Sequence, residues 1–330
     1  MEIYPLTFNP IYKEMVWGGA KMRSLYGREI PYEKTGESWD VSCREKEMGV
    51  VSNGAYKGLS FREVIELAPA SFLGEKFRNF THFPLLVKII DAADFLSVQV
   101  HPDDEYALRR ENAPFGKNEM WCVLSAEEGS HLVLGLKDGV SRADFSAMLE
   151  NGAVEDALEK LPVRAGDVVN IPAGLVHAIG RGITLAEIQQ NSDITYRVYD
   201  YGRLGLDGKP RELHKEKALD VIDFGGKLPK AAVKPEIIGE SAGFRLSRAV
   251  KTPHFNVNLL ELDSTGGPSA GFGDFDAFQI LTVTEGSCVL SAGGCETPLK
   301  TADSVFLPAK LGERGGYRVT GVCKALISYC

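Results

Sequence analysis

The chain has 330 residues, of which 44% are hydrophobic and 25% are charged, and its net charge is −8. These values are ordinary for a globular protein, and the length allows two domains. The acidic balance argues against nonspecific binding of nucleic acid, so an anionic substrate would need a local cluster of Lys and Arg.

The sequence predicts a cytoplasmic protein without a membrane partner. The first residues, M-E-I-Y-P-L-T-F-N-P, lack the basic and apolar segments of a signal peptide, and no apolar run is long enough to span a membrane. The six cysteines are scattered and form no C-x-x-C pair. This usage is typical of reduced thiols and excludes a zinc site built from paired thiolates.

The first hundred residues predict strands with one helical insertion. The alternation of E-S-W-D-V-S at 37–42 is typical of a strand. Residues 60–79 have a helical pattern that Pro69 interrupts. The apolar segment 83–100 has the length of two adjoining strands. The turn Trp17-Gly18-Gly19 serves either the fold or a site, and the sequence leaves both interpretations open.

Short helices and strands alternate in the next part of the chain. Residues 103–110 predict a helix with an acidic first turn, and 121–136 predict a pair of strands. Ser141 is typical of a helix N-cap and opens a helical stretch that reaches residue 160. Strands follow from 161, and the polar segment 204–240 predicts a linker to a second unit.

An internal repeat indicates that both parts of the chain share one fold. V-R-A-G-D-V-V-N-I-P-A at 163–173 resembles L-K-T-A-D-S-V-F-L-P-A at 299–309. Upstream, 123–134 resembles 280–290 around the shared sequence E-G-S. The predicted fold is therefore mainly β, with two double-sheet jelly rolls and a few short helices.

The repeat also predicts the division of the chain into domains. Residues 1–240 would form a catalytic, metal-binding jelly roll with helical insertions near 60–79 and 141–160. Residues 241–330 would form a smaller jelly roll. Glu313 stands there at the position that matches His177, so the second copy is predicted to lack a metal site.

Three segments carry residues that suit a metal ion. Ser97, Gln99 and His101 alternate and would share one face of a strand, while Glu119 opens the next apolar run and His177 follows a Pro-Ala-Gly turn. Two imidazoles, a carboxylate and an amide suit a borderline divalent ion such as zinc. Each histidine alone could equally be a core or surface residue, and only the combination favours a ligand set.

The motifs together resemble the type I mannose-6-phosphate isomerases, in the short bacterial form, within the cupin superfamily. The matching motifs, in chain order, are W-G-G, G-E-S-W-D-V-S, S-V-Q-V-H-P-D-D, G-K-N-E-M-W, I-P-A-G-L-V-H-A and Y-R-V-Y-D-Y-G-R. They span residues 17–203, and the C-terminal part fits the family's second jelly roll. The resemblance implies a metal-dependent aldose–ketose isomerase that interconverts mannose 6-phosphate and fructose 6-phosphate through an enediol.

The resemblance also implies the roles of individual residues and one zinc ion per chain. The metal ligands would be Gln99, His101, Glu119 and His177, with Gln99 the least constant of them in the family. The essential arginine would be Arg197. The other residues implied at the active site, including substrate contacts, are Ser97, Lys117 and Glu187.

The chemistry assigns provisional roles within this set. Glu187 is the first candidate for the base that moves the carbon-bound proton, and its alternative is a solvated strand carboxylate. Lys117 is the second candidate, or else a phosphate ligand or a surface lysine. Arg197 suits an anionic oxygen, and its alternative is a surface arginine paired with Asp200 or Asp193.

Other polar residues of the sequence are assigned to phosphate binding, to capping or to the fold. Lys88 and Arg203 are further possible phosphate ligands, and Asp103, Asp104 and Asp200 are expected to cap or orient other groups. The remaining histidines, which lack a motif and are assigned to the fold or the surface, are His82, His131, His214 and His254.

Two other functions compete with the isomerase. A cupin oxygenase would hold iron and would need no cations for phosphate. A non-enzymatic sugar-binding protein would keep the fold alone, although the intact metal and arginine positions argue against it. The expected partner is a small sugar phosphate, and the expected state is a monomer or a weak homo-oligomer.

Overall fold

The computed structural model describes residues 1–265 and 269–330. The strands are β1 Phe8–Asn9, β2 Ile11–Gly19, β3 Thr35–Val41, β4 Val50–Val51, β5 Leu85–Ala92, β6 Val98–Val100, β7 Glu119–Ala126, β8 His131–Leu136, β9 Leu158–Pro162, β10 Val168–Ile171, β11 His177–Ile179, β12 Ile183–Gln190, β13 Tyr196–Tyr199, β14 Glu236–Ser241, β15 Phe244–Lys251, β16 Asn256–Asp263, β17 Ala270–Phe272, β18 Gln279–Ala292, β19 Cys295–Lys300, β20 Ser304–Leu307 and β21 Tyr317–Tyr329. The α-helices are α1 Lys21–Ser24, α2 Phe61–Leu67, α3 Pro69–Leu73, α4 Asp104–Glu111, α5 Arg142–Asn151, α6 Lys215–Val221 and α7 Lys310–Glu313.

The chain forms two compact units that are interleaved in sequence. Unit A comprises Tyr12–Ser38 and Ile89–Val233, and unit B comprises Met1–Ile11, Trp39–Lys88 and Lys234–Cys330. Both are built mainly from antiparallel strands, so the prediction of a mainly β chain with few short helices is confirmed.

Unit A carries the predicted site and contains strands of two sheets. A five-stranded sheet with the order β13-β6-β11-β8-β9 lies wholly within it. A second sheet has the order β10-β7-β12-β5-β2-β3, and its strands β7, β10 and β12 lie wholly in unit A. Apolar side chains such as Trp121, Leu134 and Ile171 form a buried cluster that draws on both sheets. The site residues are thus carried on strands that a core holds in place.

Unit B contains an eight-stranded sheet with the order β14-β15-β16-β21-β18-β19, to which β17 and β20 add at β21 and β18. The sequence repeat folds differently in the two units. In unit A a turn at Gly129 separates β7 from β8, whereas in unit B the matching Gly286 lies inside the continuous strand β18. Where unit A has β11, unit B has the short helix α7.

The predicted division into 1–240 and 241–330 differs from this grouping. The N-terminal segment belongs to unit B because Leu6 and Phe306 exchange two backbone hydrogen bonds, of 2.8 and 2.9 Å. The ring of Phe61 also packs 4.9 Å from that of Phe306. Pairing between distant segments of this kind leaves little trace in local sequence patterns.

Local signals account for most of the helices. Pro69 opens α3 directly after α2, and Ser141 forms a capping box with Asp144 at the start of α5. The predicted linker 204–240 is wrong in part, because it contains α6 and the start of the last segment of unit B, Lys234–Cys330. Ala218 of α6 is fully buried, so packing stabilises a helix that is too short to form alone.

Trp17, Gly18 and Gly19 are the last residues of β2, so the prediction of a turn is wrong, and the segment has a structural role. A Cβ atom on Gly18 would lie 2.6 Å from the Lys34 carbonyl oxygen, and one on Gly19 would lie 2.8 Å from Asp91 Oδ1. The buried Asp91 carboxylate accepts the Lys21 backbone N–H at 2.6 Å and so fixes the chain after β2. Both glycines are needed because neighbouring groups approach the backbone too closely for a side chain.

None of the helices in the described part of the chain has the length and apolar character that crossing a membrane requires.

Candidate metal centre and active site

Three buried side chains from separate strands meet inside unit A. His101 directly follows β6, Glu119 is the first residue of β7, and His177 is the first residue of β11. Their ligand atoms all lie within 4.8 Å of one another, and the two imidazole rings are 4.7 Å apart. The structure thus brings together three of the four predicted metal ligands.

Backbone carbonyls set the tautomers of both histidines. His101 Nδ1 donates to the Ile194 carbonyl at 2.9 Å, and His177 Nδ1 donates to the Leu175 carbonyl at 2.8 Å. Burial lowers the pKa of His177 and, with Lys117 nearby, lowers the pKa of His101 to about 3. Both rings are therefore neutral and direct the lone pair of Nε2 toward Glu119.

Glu119 is fully buried and ionised. Burial opposes its charge, but the Lys117 ammonium holds the pKa of the carboxyl well below its ordinary value. The Lys117 ammonium lies 2.5 Å from Glu119 Oε2 and 3.0 Å from His101 Nε2. Lys117 is only 4% exposed, so the alternative of a surface lysine is wrong.

The donor set fits a divalent metal ion. Glu119 Oε1 and His177 Nε2 are buried, lie 3.4 Å apart and have no hydrogen-bond partner. Two lone pairs facing each other at this distance are unfavourable unless a cation lies between them. One carboxylate and two neutral imidazoles are ligands that zinc and similar ions accept.

Gln99 lies in the middle of a row across the five-stranded sheet. On β6 it is opposite His177 of β11 on one side and opposite Arg197 of β13 on the other. Directly opposed residues share one face of a sheet, so the three side chains leave the same face. Gln99 is half-buried, and its role as a ligand stays a prediction.

Arg197 is oriented by two oxygen atoms. Its Nε donates to Ser97 Oγ at 3.2 Å, and its Nη1 donates to the Glu212 carbonyl at 2.9 Å. Burial, followed by the charge of Arg211, lowers the pKa of the guanidinium from its ordinary value. The alternative of a pair with Asp200 is wrong, because that carboxylate binds two other arginines.

Asp200 joins Arg203 and Arg211 into a cationic cluster. Arg203 Nη2 donates to Asp200 Oδ1 at 2.7 Å, and Arg211 Nε donates to Oδ2 at 2.7 Å. Arg203 Nη1 also donates to the Phe95 carbonyl. Asp200 thus orients other groups, as predicted. Arg197 lies near this cluster, and Asp94 Oδ2 also lies 3.4 Å from Arg203 Nη1.

Glu187 is buried beside the metal centre. It lies on β12 opposite Trp121 of β7, and the Trp121 indole N–H donates to its Oε2 at 2.8 Å. The Trp121 ring in turn lies 5.4 Å from that of His177. Glu187 is 3% exposed, so the alternative of a solvated strand carboxylate is wrong.

The remaining candidates have structural contacts. The Asp103 side chain accepts the Tyr106 N–H at 2.8 Å and caps α4, and Asp104 accepts the Gly116 N–H at 2.7 Å. Both contacts confirm the expected capping and orienting roles. In unit B, buried Lys88 stacks on Trp39, with Nζ 4.8 Å from the ring centroid.

Sequence reasoning missed three polar neighbours of the site. Trp121 and Gln189 follow Glu119 and Glu187 by two residues, so period-two alternation could have placed them on the same strand faces. Gln189 is fully buried and lies opposite Glu119. Arg211 gave no signal, because it lies in an irregular segment without periodicity.

Comparison with known proteins assigns the family. The model of the phosphomannose isomerase type I catalytic domain matches residues 6–129. Mannose-6-phosphate isomerase ManA of Bacillus subtilis is 35% identical over 329 residues, covering 100% of both chains. The mannose-6-phosphate isomerase of Streptococcus mutans is 36% identical over 304 residues, covering 92% of both.

A solved structure gives the same assignment. The crystal structure of the mannose 6-phosphate isomerase from Bacillus subtilis superposes with a TM-score of 0.88 at 32% identity and covers 99% of both chains. The prediction of cupin-type jelly rolls and the resemblance drawn from the motifs are confirmed. The chain belongs to the type I phosphomannose isomerase, or mannose-6-phosphate isomerase, family.

Proposed function

We propose that the chain interconverts mannose 6-phosphate and fructose 6-phosphate at the centre formed by His101, Glu119 and His177. The observation that carries the proposal is the convergence of two imidazole Nε2 atoms, of which that of His177 has no hydrogen-bond partner, on a buried, ionised carboxylate. The curated relatives that match the whole chain are named as isomerases of this substrate. The reaction moves a proton between C2 and C1 and needs no net electron transfer.

The metal in this proposal is one zinc ion per chain, with Gln99 as a fourth ligand. Gln99 suits this role because its strand register places it beside His177. When bound, the ion would polarise the sugar carbonyl and stabilise the charge that develops on the enediol oxygens. The backbone carbonyls of Ile194 and Leu175 would keep both imidazoles in the tautomer that presents Nε2.

Glu187 is the proposed base. Its carboxylate would take the proton from C2 and return it to C1, and the Trp121 indole would hold it in place by donating to Oε2. Lys117 is the proposed proton donor and acceptor for the sugar oxygens, because its ammonium is already directed at the metal ligands. A buried, dry surrounding strengthens each of these charge interactions.

Arg197 would stabilise the negative enediol oxygen, and the cluster of Arg203 and Arg211 would bind the phosphate. Asp200 holds both guanidinium groups and Asp94 also contacts Arg203, at 3.4 Å, and the planar fork of arginine suits a phosphate dianion. Ser97 would fix the Arg197 guanidinium through its hydroxyl. A single-chain site of this kind supports a monomer or a weak homo-oligomer.

Two broader expectations belong to the same proposal. We place the protein in the cytoplasm, since the cysteines of the described chain form no disulfide bond. We also retain 1–240 and 241–330 as the proposed folding domains, with the metal site confined to the first.

The test is an assay for fructose 6-phosphate after incubation with mannose 6-phosphate, run beside metal analysis. We expect turnover that disappears when a chelator strips the metal and returns when zinc is added, while the fold persists because the core does not depend on the ion. Full activity after confirmed removal of metal would rule out the metal-centred site. Bound iron with oxygen uptake would instead indicate an oxygenase.

The change Arg197→Lys tests the proposed arginine. Lysine keeps the charge but cannot reproduce the planar fork that contacts Ser97 Oγ and the Glu212 carbonyl. We expect turnover to fall about 10²-fold, with a smaller change in KM, if the guanidinium acts on the transition state. A collapse of affinity with turnover intact would assign Arg197 to phosphate binding instead.

A further inference from the structure

Arg197 lies on an edge strand whose outer side has an unusual partner. Strand β13 is the outermost strand of its sheet and pairs on its inner side with β6. The outward N–H and C=O groups of an edge residue need other partners. His214 supplies both: its backbone N–H donates to the Arg197 carbonyl at 2.7 Å, and its Nδ1 accepts the Arg197 N–H at 3.3 Å.

The imidazole takes the place of a strand carbonyl. A residue in a neighbouring strand would accept the Arg197 N–H with its own C=O. The carbonyl of His214 already accepts the Ala218 N–H at 2.9 Å, in the first turn of α6. Because the helix begins at this point, only the side chain of His214 can complete the pair.

The same segment also holds the guanidinium. Glu212, two residues before His214, offers its backbone carbonyl to Arg197 Nη1 at 2.9 Å. The position of that carbonyl depends on where His214 fastens the segment to β13. The backbone and the side chain of Arg197 are thus tied to one short piece of chain.

Helix α6 links this segment to the loop at Gly174, which precedes His177. After α6, the Asp223 N–H donates to the Gly174 carbonyl at 2.9 Å, and the Gly174 N–H donates to the His101 carbonyl at 2.9 Å. A Cβ on Gly174 would lie 3.0 Å from the Val221 carbonyl oxygen, so the loop and the helix end are in close contact. One helix therefore separates the arginine from a proposed metal ligand.

We propose that His214 is a positioning residue that sets the orientation of the Arg197 guanidinium at the active site. The inference rests on the role proposed above for Arg197. The sequence assigned His214 to the fold or the surface. In this proposal His214 instead helps to set the geometry of the active site. The residue acts through Arg197 and contacts no reacting atom.

Two substitutions separate positioning from packing. In His214→Asn the side-chain oxygen stands as far from the backbone as Nδ1 does and can accept the Arg197 N–H, whereas His214→Ala removes the acceptor. We expect His214→Ala to lower kcat about 10- to 100-fold with a smaller change in KM, because a displacement of about 1 Å can cost that much. His214→Asn should stay within about fivefold of wild type on the same scale.

A matched control and a double-mutant cycle sharpen the test. Glu216→Ala removes an exposed side chain from the first turn of the same helix and should leave kcat unchanged. In an Arg197→Lys background, His214→Ala should cause little further loss, because His214 acts through the guanidinium that Arg197→Lys has already removed. An equal loss in both backgrounds, or a His214→Asn variant as slow as His214→Ala, would overturn the proposal.

A spectroscopic measurement keeps the inference separate from the reaction itself. In ¹⁵N-arginine-labelled protein, the Nε–H signal of Arg197 is assigned by its loss in Arg197→Lys. We expect that signal to be protected from solvent exchange in wild type and His214→Asn and to exchange faster in His214→Ala. If wild type fails to isomerise mannose 6-phosphate, the proposed function falls, but the exchange result still decides the positioning role. Unchanged exchange in His214→Ala would contradict it.

Discussion

His177→Ala is expected to abolish isomerisation and to release the metal, whereas Glu313→Ala leaves both unchanged. The two residues occupy matching places in the sequence repeat, but only His177 lies within reach of another imidazole and a carboxylate. Removing His177 leaves Glu119 Oε1 buried with no imidazole opposite it, so the remaining donors cannot form a complete site.

Glu313 is a suitable control because it is exposed and its ion pair lies within its own helix. It is exposed and pairs with Lys310 of the same helix at 2.9 Å, so its loss should change the free energy of unfolding by less than about 1 kcal/mol. The measurements are metal content, turnover and thermal unfolding of both variants. Equal loss of turnover in the two folded variants would contradict a single site in unit A.

The convergence of His101, Glu119 and His177 could be predicted because each lies where local rules are strong. His101 follows a strand that alternates, Glu119 begins an apolar run, and His177 follows a proline–glycine turn. Period-two alternation places such residues on strand faces without any knowledge of distant pairing. The family resemblance then supplied their order and their partners.

The rest of the site depends on pairing that no local pattern encodes. His214 contacts Arg197 across 17 residues, through a helix start in a segment predicted as a linker. Arg211 reaches Asp200 from an irregular stretch. Such contacts come from tertiary packing, which decides the geometry of short helices and loops more than propensity does.

The lack of a local signal for pairing between distant segments also explains why the sequence did not predict the interleaved units. The segments 1–11 and 39–88 join unit B because of contacts such as the ring packing between Phe61 and Phe306, at 4.9 Å. The short strands β1 and β4 were not predicted, whereas β3 and β5 were visible in the sequence as an alternating and an apolar run. The choice of partner strand was not, because many buried strands have the same period and composition.

Glu187→Gln is expected to reduce turnover by about 10²- to 10⁴-fold, the usual contribution of a positioned acid or base. Glutamine keeps the size of the side chain and can still accept the Trp121 indole N–H, so the strand pairing of β7 and β12 should persist. What it loses is the ability to accept a proton from carbon at neutral pH. Affinity for the phosphosugar should change much less than turnover.

Solvent isotope exchange makes the assignment of the base specific. In deuterated water, wild type should incorporate deuterium at C1 of fructose 6-phosphate or C2 of mannose 6-phosphate, and Glu187→Gln should lose this incorporation together with turnover. Trp121→Phe is the matched control, because it removes the 2.8 Å hydrogen bond to Glu187 but keeps the carboxylate. Its loss should be the smaller one, since an unanchored base still transfers protons. If Glu187→Gln retains both exchange and turnover, the proton is carried by Lys117, a buried titratable group that contacts His101 and Glu119.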